Sequence, residues 1–201
     1  MRVLIACEFS GIVREAFKAR GHDAWSCDLL PTEIPGQHFE GYISEMLKQK
    51  WDLMVAHPPC TYLTTTGNKW FKPEYKDRFP TRVQDREDAV KFFMSLVNAN
   101  IDKICIENPV GIMSTRWRKP NQIIQPFQFG HTEAKKTCLW LKNLTPLVPT
   151  KLVEPEYTMF KSGKRMARWY VEAASLPPAE REKVRSKTFQ GIANAMAEQW
   201  S

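Results

Sequence analysis

The sequence lacks any apolar run that approaches the roughly 18 residues needed to cross a membrane. Its amino-terminal apolar stretch is short and meets Glu8 at once, which is not the pattern of a signal peptide. The chain also has no Cys-x-x-Cys pair among its five cysteines, whereas zinc sites usually show such pairs. These absences predict a cytoplasmic protein with free thiols, no metal site and no membrane partner.

The composition is that of an ordinary folded domain. Hydrophobic residues make up 43 % of the 201 residues and charged residues 25 %, and seven Trp and eleven Phe argue against disorder. A formal net charge of +7 favours an anionic partner, of which nucleic acid is the commonest. We expect a single domain over residues 1–201, because the length is too small for two ordinary domains.

Short buried strands alternate with helices along the chain. The patterns predict strands over residues 2–7, 24–27, 53–56, 103–106 and 137–141. They predict helices over 12–20, 44–49 (capped by Ser44), 82–100 and 189–200. The polar stretch 61–80 lacks periodicity and is typical of a functional loop. The alternation predicts an α/β fold with a mostly parallel sheet and helices on both faces.

Three motifs follow predicted strands, at the edge of the sheet where such folds bind ligands. They are Phe9-Ser10-Gly11, Pro58-Pro59-Cys60 and Glu107-Asn108-Pro109. Taken alone, a cysteine in a proline-rich turn is more often a buried structural residue. A cysteine paired with a carboxylic acid, however, suits addition to an electron-poor pyrimidine. The thiolate adds to carbon 6, the acid stabilises or protonates nitrogen 3, and carbon 5 becomes nucleophilic.

The order of these motifs resembles the DNA cytosine methyltransferases that act on carbon 5. Phe9-Ser10-Gly11 is similar to the donor-binding motif of that family, and Asp28 to the acid that binds the ribose of the donor. The segment 38–43 is similar to the one beside the adenine. Pro58-Pro59-Cys60 resembles the catalytic loop, and Glu107-Asn108-Pro109 resembles the Glu-Asn-Val motif. The segment 129–141, which includes Lys135, and the segment 190–195 resemble two later motifs, in the order of the family.

The resemblance implies a Rossmann-like methyltransferase fold that uses S-adenosylmethionine as donor. It implies methyl transfer to carbon 5 of cytosine in DNA through a covalent Cys60 adduct, with Glu107 and Lys135 as further catalytic residues. The implied donor-binding residues are Phe9, Ser10, Gly11, Asp28, Tyr42, Ile43, Pro58 and Asn194. The implied substrate-binding residues are Pro59, Asn108, Lys164, Arg165 and Arg168.

The chain departs from the family pattern at several positions. Val13 stands where the family usually has a glycine, and His57 also stands where glycine is commoner. The Gln-x-Arg-x-Arg segment becomes Glu133-x-Lys135-x-Thr137, so an arginine fork is lost and Glu107 depends on other groups for its orientation.

The region before the last helix is much shorter than the recognition domain of the family. Residues 142–187 are therefore expected to form a reduced target-recognition segment, and residues 189–201 a helix that returns to the donor site. A small recognition region indicates short sites, loose specificity or single-stranded DNA, because an unpaired base costs less to extrude. The compact form resembles a phage-encoded enzyme that acts in the cytoplasm of a bacterial host.

Cys60 is expected to lie in a polar, open environment, with a pKa lowered by Lys135 or by amides of the following loop. Other interpretations stay open at this point. The substrate could be a free cytosine nucleotide, or the donor a modified S-adenosylmethionine that transfers a larger group. The chain could also be a catalytically inactive binder of DNA or a partner, although the presence of Cys60 and Glu107 argues against this. A thiol redox protein is disfavoured because no second cysteine lies beside Cys60 in sequence. The sequence leaves the oligomeric state open.

Overall fold

The computed structural model describes residues 1–201 and arranges seven strands in one sheet. In chain order they are β1 (Arg2–Ala6), β2 (Asp23–Asp28), β3 (His38–Glu40), β4 (Leu53–Ala56), β5 (Lys103–Pro109), β6 (Gln122–Ile124) and β7 (Thr137–Lys142). The spatial order is β3-β2-β1-β4-β5-β7-β6. The first five strands pair in parallel, whereas β7 runs antiparallel to β5 and β6. The predicted α/β fold with a mostly parallel sheet is confirmed.

Seven helices accompany the strands. They are α1 (Ile12–Lys18), α2 (Ile43–Met46), α3 (Arg82–Val97), α4 (Met113–Arg116), α5 (Arg168–Ala174), α6 (Pro178–Ser186) and α7 (Gln190–Gln199). Short 3-10 turns occupy Thr65–Phe71 and Pro73–Tyr75 within the stretch predicted as a loop, and another lies at Pro126–Gln128.

Two hydrophobic cores lie on opposite faces of the sheet, because successive side chains of a strand point to opposite sides. In β1, Val3 and Ile5 belong to the core that includes residues of α1 and α7. Leu4 and Ala6 belong to the other core, which includes residues of α2 and α3. Helices therefore cover both faces, as predicted. Helix α7 packs against α1, next to the turn that follows β1.

Some predicted boundaries are wrong. Helix α2 begins at Ile43 with Tyr42 as its N-cap, so Ser44 is an exposed helical residue and not the cap. Strand β5 continues through Glu107 to Pro109, because β7 pairs with it along this whole length. The edge strands β3 and β6 have three residues each and carry no clear periodicity in the sequence.

After β7 the chain first packs on the main domain, with Leu147 buried in the core that includes α1 and α7. Residues 156–186 then form a small unit that we name the appendage. It contains a hairpin of β8 (Tyr157–Met159) and β9 (Arg165–Ala167), followed by α5 and α6. The indole of Trp169 donates a hydrogen bond to the carbonyl of Ala134 at 3.0 Å, and the amide of Glu156 donates to the carbonyl of Thr132 at 2.8 Å. These bonds attach the appendage to the segment that leads into β7. No helix of the protein is long and apolar enough to span a membrane.

Candidate active site

The turn that follows β1 is organised by a buried acid. Glu8 is 5 % exposed, and its carboxylate accepts hydrogen bonds from the amide of Val13 at 2.7 Å and the hydroxyl of Ser10 at 3.0 Å. A negative charge at the start of α1 is favourable, because the first amides of a helix have no partners within the helix. Gly11 adopts a positive φ of 78° at the N-cap position, where a side chain would be strained. The turn is therefore held from within by Glu8, a residue that sequence reasoning did not select.

Arg14 carries a positive charge and yet is fully buried, because it lies on the face of α1 that packs on the sheet. Its guanidinium donates to the hydroxyl of Ser26 at 2.8 Å, to the hydroxyl of Thr32 at 3.2 Å, and to the carbonyl of Ile34. It thus joins α1 to β2 and to the loop between β2 and β3. A Cβ atom added to Gly11 would lie 2.7 Å from this guanidinium, so the glycine and the arginine fit together. The one sign of this buried contact in the sequence is that Arg14 lies on an otherwise apolar face of the predicted helix.

The residues expected at the adenosine end of the donor lie near the end of β2, but in different environments. Asp28 is partly exposed, and one of its carboxylate oxygens accepts the amide of Leu30 at 3.0 Å, while the other accepts no hydrogen bond. Tyr42 is 73 % exposed, whereas Ile43 packs in the hydrophobic core. Asp28 and Tyr42 therefore have accessible side chains, and Ile43 does not.

The late motif at the start of α7 packs closely on the segment before β7. A Cβ atom on Gly191 would lie 1.9 Å from the carbonyl oxygen of Phe129, so only glycine fits there. The amide of Gly191 donates to Nε2 of His131 at 2.8 Å. Asn194 lies one turn further along α7, is exposed, and accepts a hydrogen bond from Gln190 at 2.8 Å.

Two side chains of β5 meet the turn that carries Cys60. The amide of Asn108 donates to the carbonyl oxygen of Pro58 at 2.7 Å, in buried surroundings. Nδ1 of His57 lies 3.2 Å from Oε2 of Glu107. Pro58 is buried, Pro59 is exposed, and Cys60 is partly buried between them and the following loop. The structure thus brings the turn after β4 and the Glu107-Asn108 pair of β5 together at one edge of the sheet.

The expectation for Cys60 is wrong in its sign. Burial raises the pKa of the Cys60 thiol, and the negative charge of Glu107 raises it further. Lys135, the expected cation, acts in the other direction, as do a backbone hydrogen bond and Arg185, but together they do not outweigh the first two. The environment of Cys60 is therefore more enclosed than predicted, and the resting thiol keeps its proton at neutral pH.

Glu107 is ionised in these surroundings. Burial raises the pKa of its carboxyl, but the hydrogen bond from His57 and the positive charges of Lys135 and His57 together lower it below the usual range. Lys135 acts at a distance, since its ammonium donates to the carbonyl of Arg185 at 2.9 Å. Sequence reasoning gave Arg185 no role, and it did not connect His57 with Glu107.

The predicted substrate-binding cations of the appendage make contacts within it. Arg168 forms ion pairs with Glu156 at 3.0 Å and Glu172 at 2.8 Å, and these raise its pKa. The guanidinium of Arg165 lies 3.6 Å from the ring centre of Tyr157, and Lys164 is exposed. The structure therefore leaves Lys164 and Arg165 on the surface, whereas Arg168 is already neutralised.

A cluster of cations and aromatic rings follows Cys60 in the chain. We name it the 62–86 cluster, and its members are Tyr62, Phe71, Arg82 and Arg86. The guanidinium of Arg82 lies 5.2 Å from the ring centre of Tyr62 and 4.9 Å from that of Phe71. That of Arg86 lies 3.2 Å from the centre of Phe71. Cation–π contacts of this kind keep positive charge and aromatic surface together at the protein surface.

Together, the sheet and its ligand-binding edge define a Rossmann-like α/β protein. No protein-family model matches the chain, and no curated protein matches its sequence. In fold the chain is similar to a solved structure from E. coli, a protein provisionally assigned as a DNA modification methyltransferase and encoded within a prophage. The TM-score is 0.50 at 13 % identity, and the match covers 77 % of this chain and 52 % of that chain. The chain thus spans about half the length of that neighbour, and the likeness shows the fold.

Proposed function

We propose that this protein transfers a methyl group from S-adenosylmethionine to carbon 5 of cytosine in DNA, with Cys60 as the nucleophile. The observation that carries the proposal is the joining of Cys60 and Glu107 at the carboxyl end of parallel strands, through the Asn108–Pro58 and His57–Glu107 contacts. Ligands of this class of sheet bind at that edge. The fold neighbour, provisionally assigned as a DNA modification methyltransferase, supports the same class of reaction.

In the proposed reaction, the sulfur of Cys60 forms a bond to carbon 6 of the ring, and the proton that the thiol gives up moves through the Glu107 carboxylate to ring nitrogen 3. The electron pair that reaches carbon 5 would then form the bond to the methyl group, while the bond between that methyl group and the donor sulfur breaks. The proton on carbon 5 leaves to solvent, the bond between the Cys60 sulfur and carbon 6 breaks, and the proton on ring nitrogen 3 returns to the thiolate through Glu107. Because the resting Cys60 is a thiol, its proton has to leave as the bond to carbon 6 forms. The positive charges of Lys135 and Arg185 favour that loss.

The residues at the ends of β1 and β2 fit the donor. S-adenosylmethionine supplies an electrophilic methyl group when bound. Asp28 has a carboxylate oxygen without a partner, which suits two ribose hydroxyls. We also propose Gly11, whose positive φ shapes the turn at the start of α1, as part of the donor site. Tyr42 is accessible for the adenine, whereas Ile43 would support it from the core. We further propose that Phe9, Ser10, Pro58 and Asn194 line the donor site.

For the DNA, we propose two groups of cations as contacts to phosphates and to an extruded base. Lys164 and Arg165 lie on the hairpin of the appendage, which we propose as a reduced target-recognition segment. The 62–86 cluster, in which Arg82 and Arg86 are partly exposed, follows Cys60 directly in the chain. Basic residues beside aromatic rings suit a nucleic-acid backbone and unstacked bases. Pro59 is exposed and could touch the base, whereas Asn108 acts through Pro58.

The decisive experiment is mass analysis of nucleosides after incubation of the protein with S-adenosylmethionine and DNA. We expect 5-methylcytosine in the wild type and none in Cys60→Ala. A methylated base other than 5-methylcytosine would contradict the proposed chemistry. Parallel reactions with single-stranded DNA and with free cytosine nucleotides identify the substrate, and a larger mass increment identifies a modified donor. DNA binding without any product would identify an inactive binder.

A further inference from the structure

The imidazole of His57 is enclosed beside the proposed catalytic acid. Its side chain is 7 % exposed and lies 3.2 Å from Glu107 through Nδ1. The other ring nitrogen, Nε2, is buried and has no hydrogen-bond partner. Buried polar atoms without a partner are rare in folded proteins and often mark a functional constraint.

The direction of the hydrogen bond follows from the chemistry of the carboxylate. An ionised carboxylate can only accept, so Nδ1 of His57 carries the proton that is shared with Oε2 of Glu107. No arginine or lysine forms a salt bridge or a hydrogen bond with Glu107; Lys135 instead donates to the carbonyl of Arg185. His57 is therefore the group that fixes the plane of the carboxylate, and it leaves Oε1 free.

We infer that His57 is a positioning residue for Glu107, which holds Oε2 through Nδ1–H and so presents Oε1 to ring nitrogen 3 of the substrate. The inference rests on the proposed function for its second half, since ring nitrogen 3 belongs to the proposed substrate. Its first half concerns this protein alone. Compared with the family that the sequence resembles, this chain lacks an arginine fork and has His57 in place of a glycine. The structure places the imidazole of His57 on Glu107, the acid that depends on other groups for its orientation.

The charged and titratable groups around the pair are few. Glu107 faces His57, the positive charge of Lys135, and the thiols of Cys60, Cys105 and Cys138. Burial is the largest single influence on the pKa of Glu107 and raises it, and removal of His57 takes away two of the three influences that lower it. Lys135 alone remains to oppose that rise.

The first test uses the unmodified protein and needs no substrate. Nitrogen-15 NMR of the histidine rings reports which nitrogen carries the proton. We expect His57 to be protonated at Nδ1, with the signal assigned through its loss in His57→Asn. A neutral His57 with its proton on Nε2 and a bare Nδ1 would overturn the inference, because such a ring cannot donate to Glu107.

The second test follows the Glu107 carboxyl carbon by carbon-13 NMR across pH, with Glu107→Gln for assignment. In His57→Leu, which fills the space without a donor, we expect the titration midpoint of Glu107 to rise. In His57→Asn, whose side-chain amide can donate, we expect a midpoint nearer to that of the wild type. His22→Leu is the control, because His22 lies at the opposite end of β2 and contacts the termini. An unchanged midpoint in His57→Leu would overturn the inference.

Activity measurements then separate the inference from the proposed function. If the wild type methylates cytosine, His57→Leu should lower kcat far more than it raises KM. The acid limb of its pH profile should also move to higher pH. His57→Asn should restore both properties towards those of the wild type. A His57→Leu enzyme with the kcat and the pH profile of the wild type would overturn the positioning role. If the wild type is inactive while both NMR results hold, the proposed function fails and the His57–Glu107 pair stands.

Discussion

The side-chain amide of Asn108 donates a buried hydrogen bond of 2.7 Å to the carbonyl oxygen of Pro58. Asn108 is 2 % exposed and belongs to β5, whereas Pro58 belongs to the turn after β4. This bond fixes the Cys60 turn relative to the strand that carries Glu107. The relative position of nucleophile and acid therefore depends on a residue that need not touch the substrate.

Replacement of Asn108 by Leu should destabilise the protein, because the carbonyl of Pro58 would lose its partner in buried surroundings. We expect a loss of about 1–3 kcal/mol in the free energy of unfolding, measured by urea denaturation. Asn98→Leu is the matched control at an exposed position, where the change should stay within about 0.5 kcal/mol. Equal losses in the two variants would show that the Asn108–Pro58 bond contributes little.

Replacement of Asp28 by Ala should weaken binding of S-adenosylmethionine. A carboxylate that accepts two ribose hydroxyls contributes about 1.5–3 kcal/mol, the range for hydrogen bonds to charged groups. Calorimetry should therefore show an increase in Kd of roughly 10-fold to 150-fold. Asp88→Ala is the control, since Asp88 is an exposed acid of α3 and lies outside the proposed donor site. An unchanged Kd in Asp28→Ala would remove the end of β2 from the donor site.

The pH dependence of Cys60 alkylation follows from its raised pKa. Burial and the charge of Glu107 disfavour the thiolate, so Cys60 should react with iodoacetamide more slowly at neutral pH than a free cysteine does. The rate should rise as pH increases towards the raised pKa. Lys135→Met removes a positive charge that lowers the pKa, so the curve should move to still higher pH. Peptide mass mapping assigns the alkylated residue, and a shift of the curve to lower pH in Lys135→Met would contradict the electrostatic role of Lys135.

Local sequence patterns were sufficient for the parts of the fold that depend on neighbours in the chain. Strand β4 has the predicted bounds, because a short apolar run buried on both faces is characteristic of a central parallel strand. Strand β5 is longer than predicted, because its last residues, Glu107 to Pro109, are held by pairing with β7, some thirty residues further along the chain. Such pairing leaves no periodic signal in the strand itself.

In the candidate site, too, features set by neighbours in the chain were predictable and features set by distant residues were not. The motif order indicated which segments reach the carboxyl edge of the sheet, but not what surrounds each side chain there. Arg14 is buried because Ser26 of β2 and Thr32 and Ile34 of the following loop supply acceptors, which no helical pattern reveals. The pKa of Cys60 was predicted with the wrong sign, because its burial and the approach of Glu107 arise from tertiary packing.

A covalent trap tests the proposed mechanism at its central atom. With DNA that contains 5-fluorocytosine, attack by Cys60 and methyl transfer should leave an adduct, because the fluorine on carbon 5 cannot depart as a proton does. Intact-mass measurement should show the protein with one attached strand, and peptide mapping should locate the bond at Cys60. Cys60→Ala should form no adduct, although it should fold and bind S-adenosylmethionine, since a small partly buried side chain in a turn contributes little packing. Glu107→Gln should form the adduct much more slowly, because an amide cannot stabilise a proton on ring nitrogen 3 as a carboxylate does. A wild-type preparation that methylates ordinary cytosine but forms no adduct with the fluorinated base would show that transfer does not pass through Cys60.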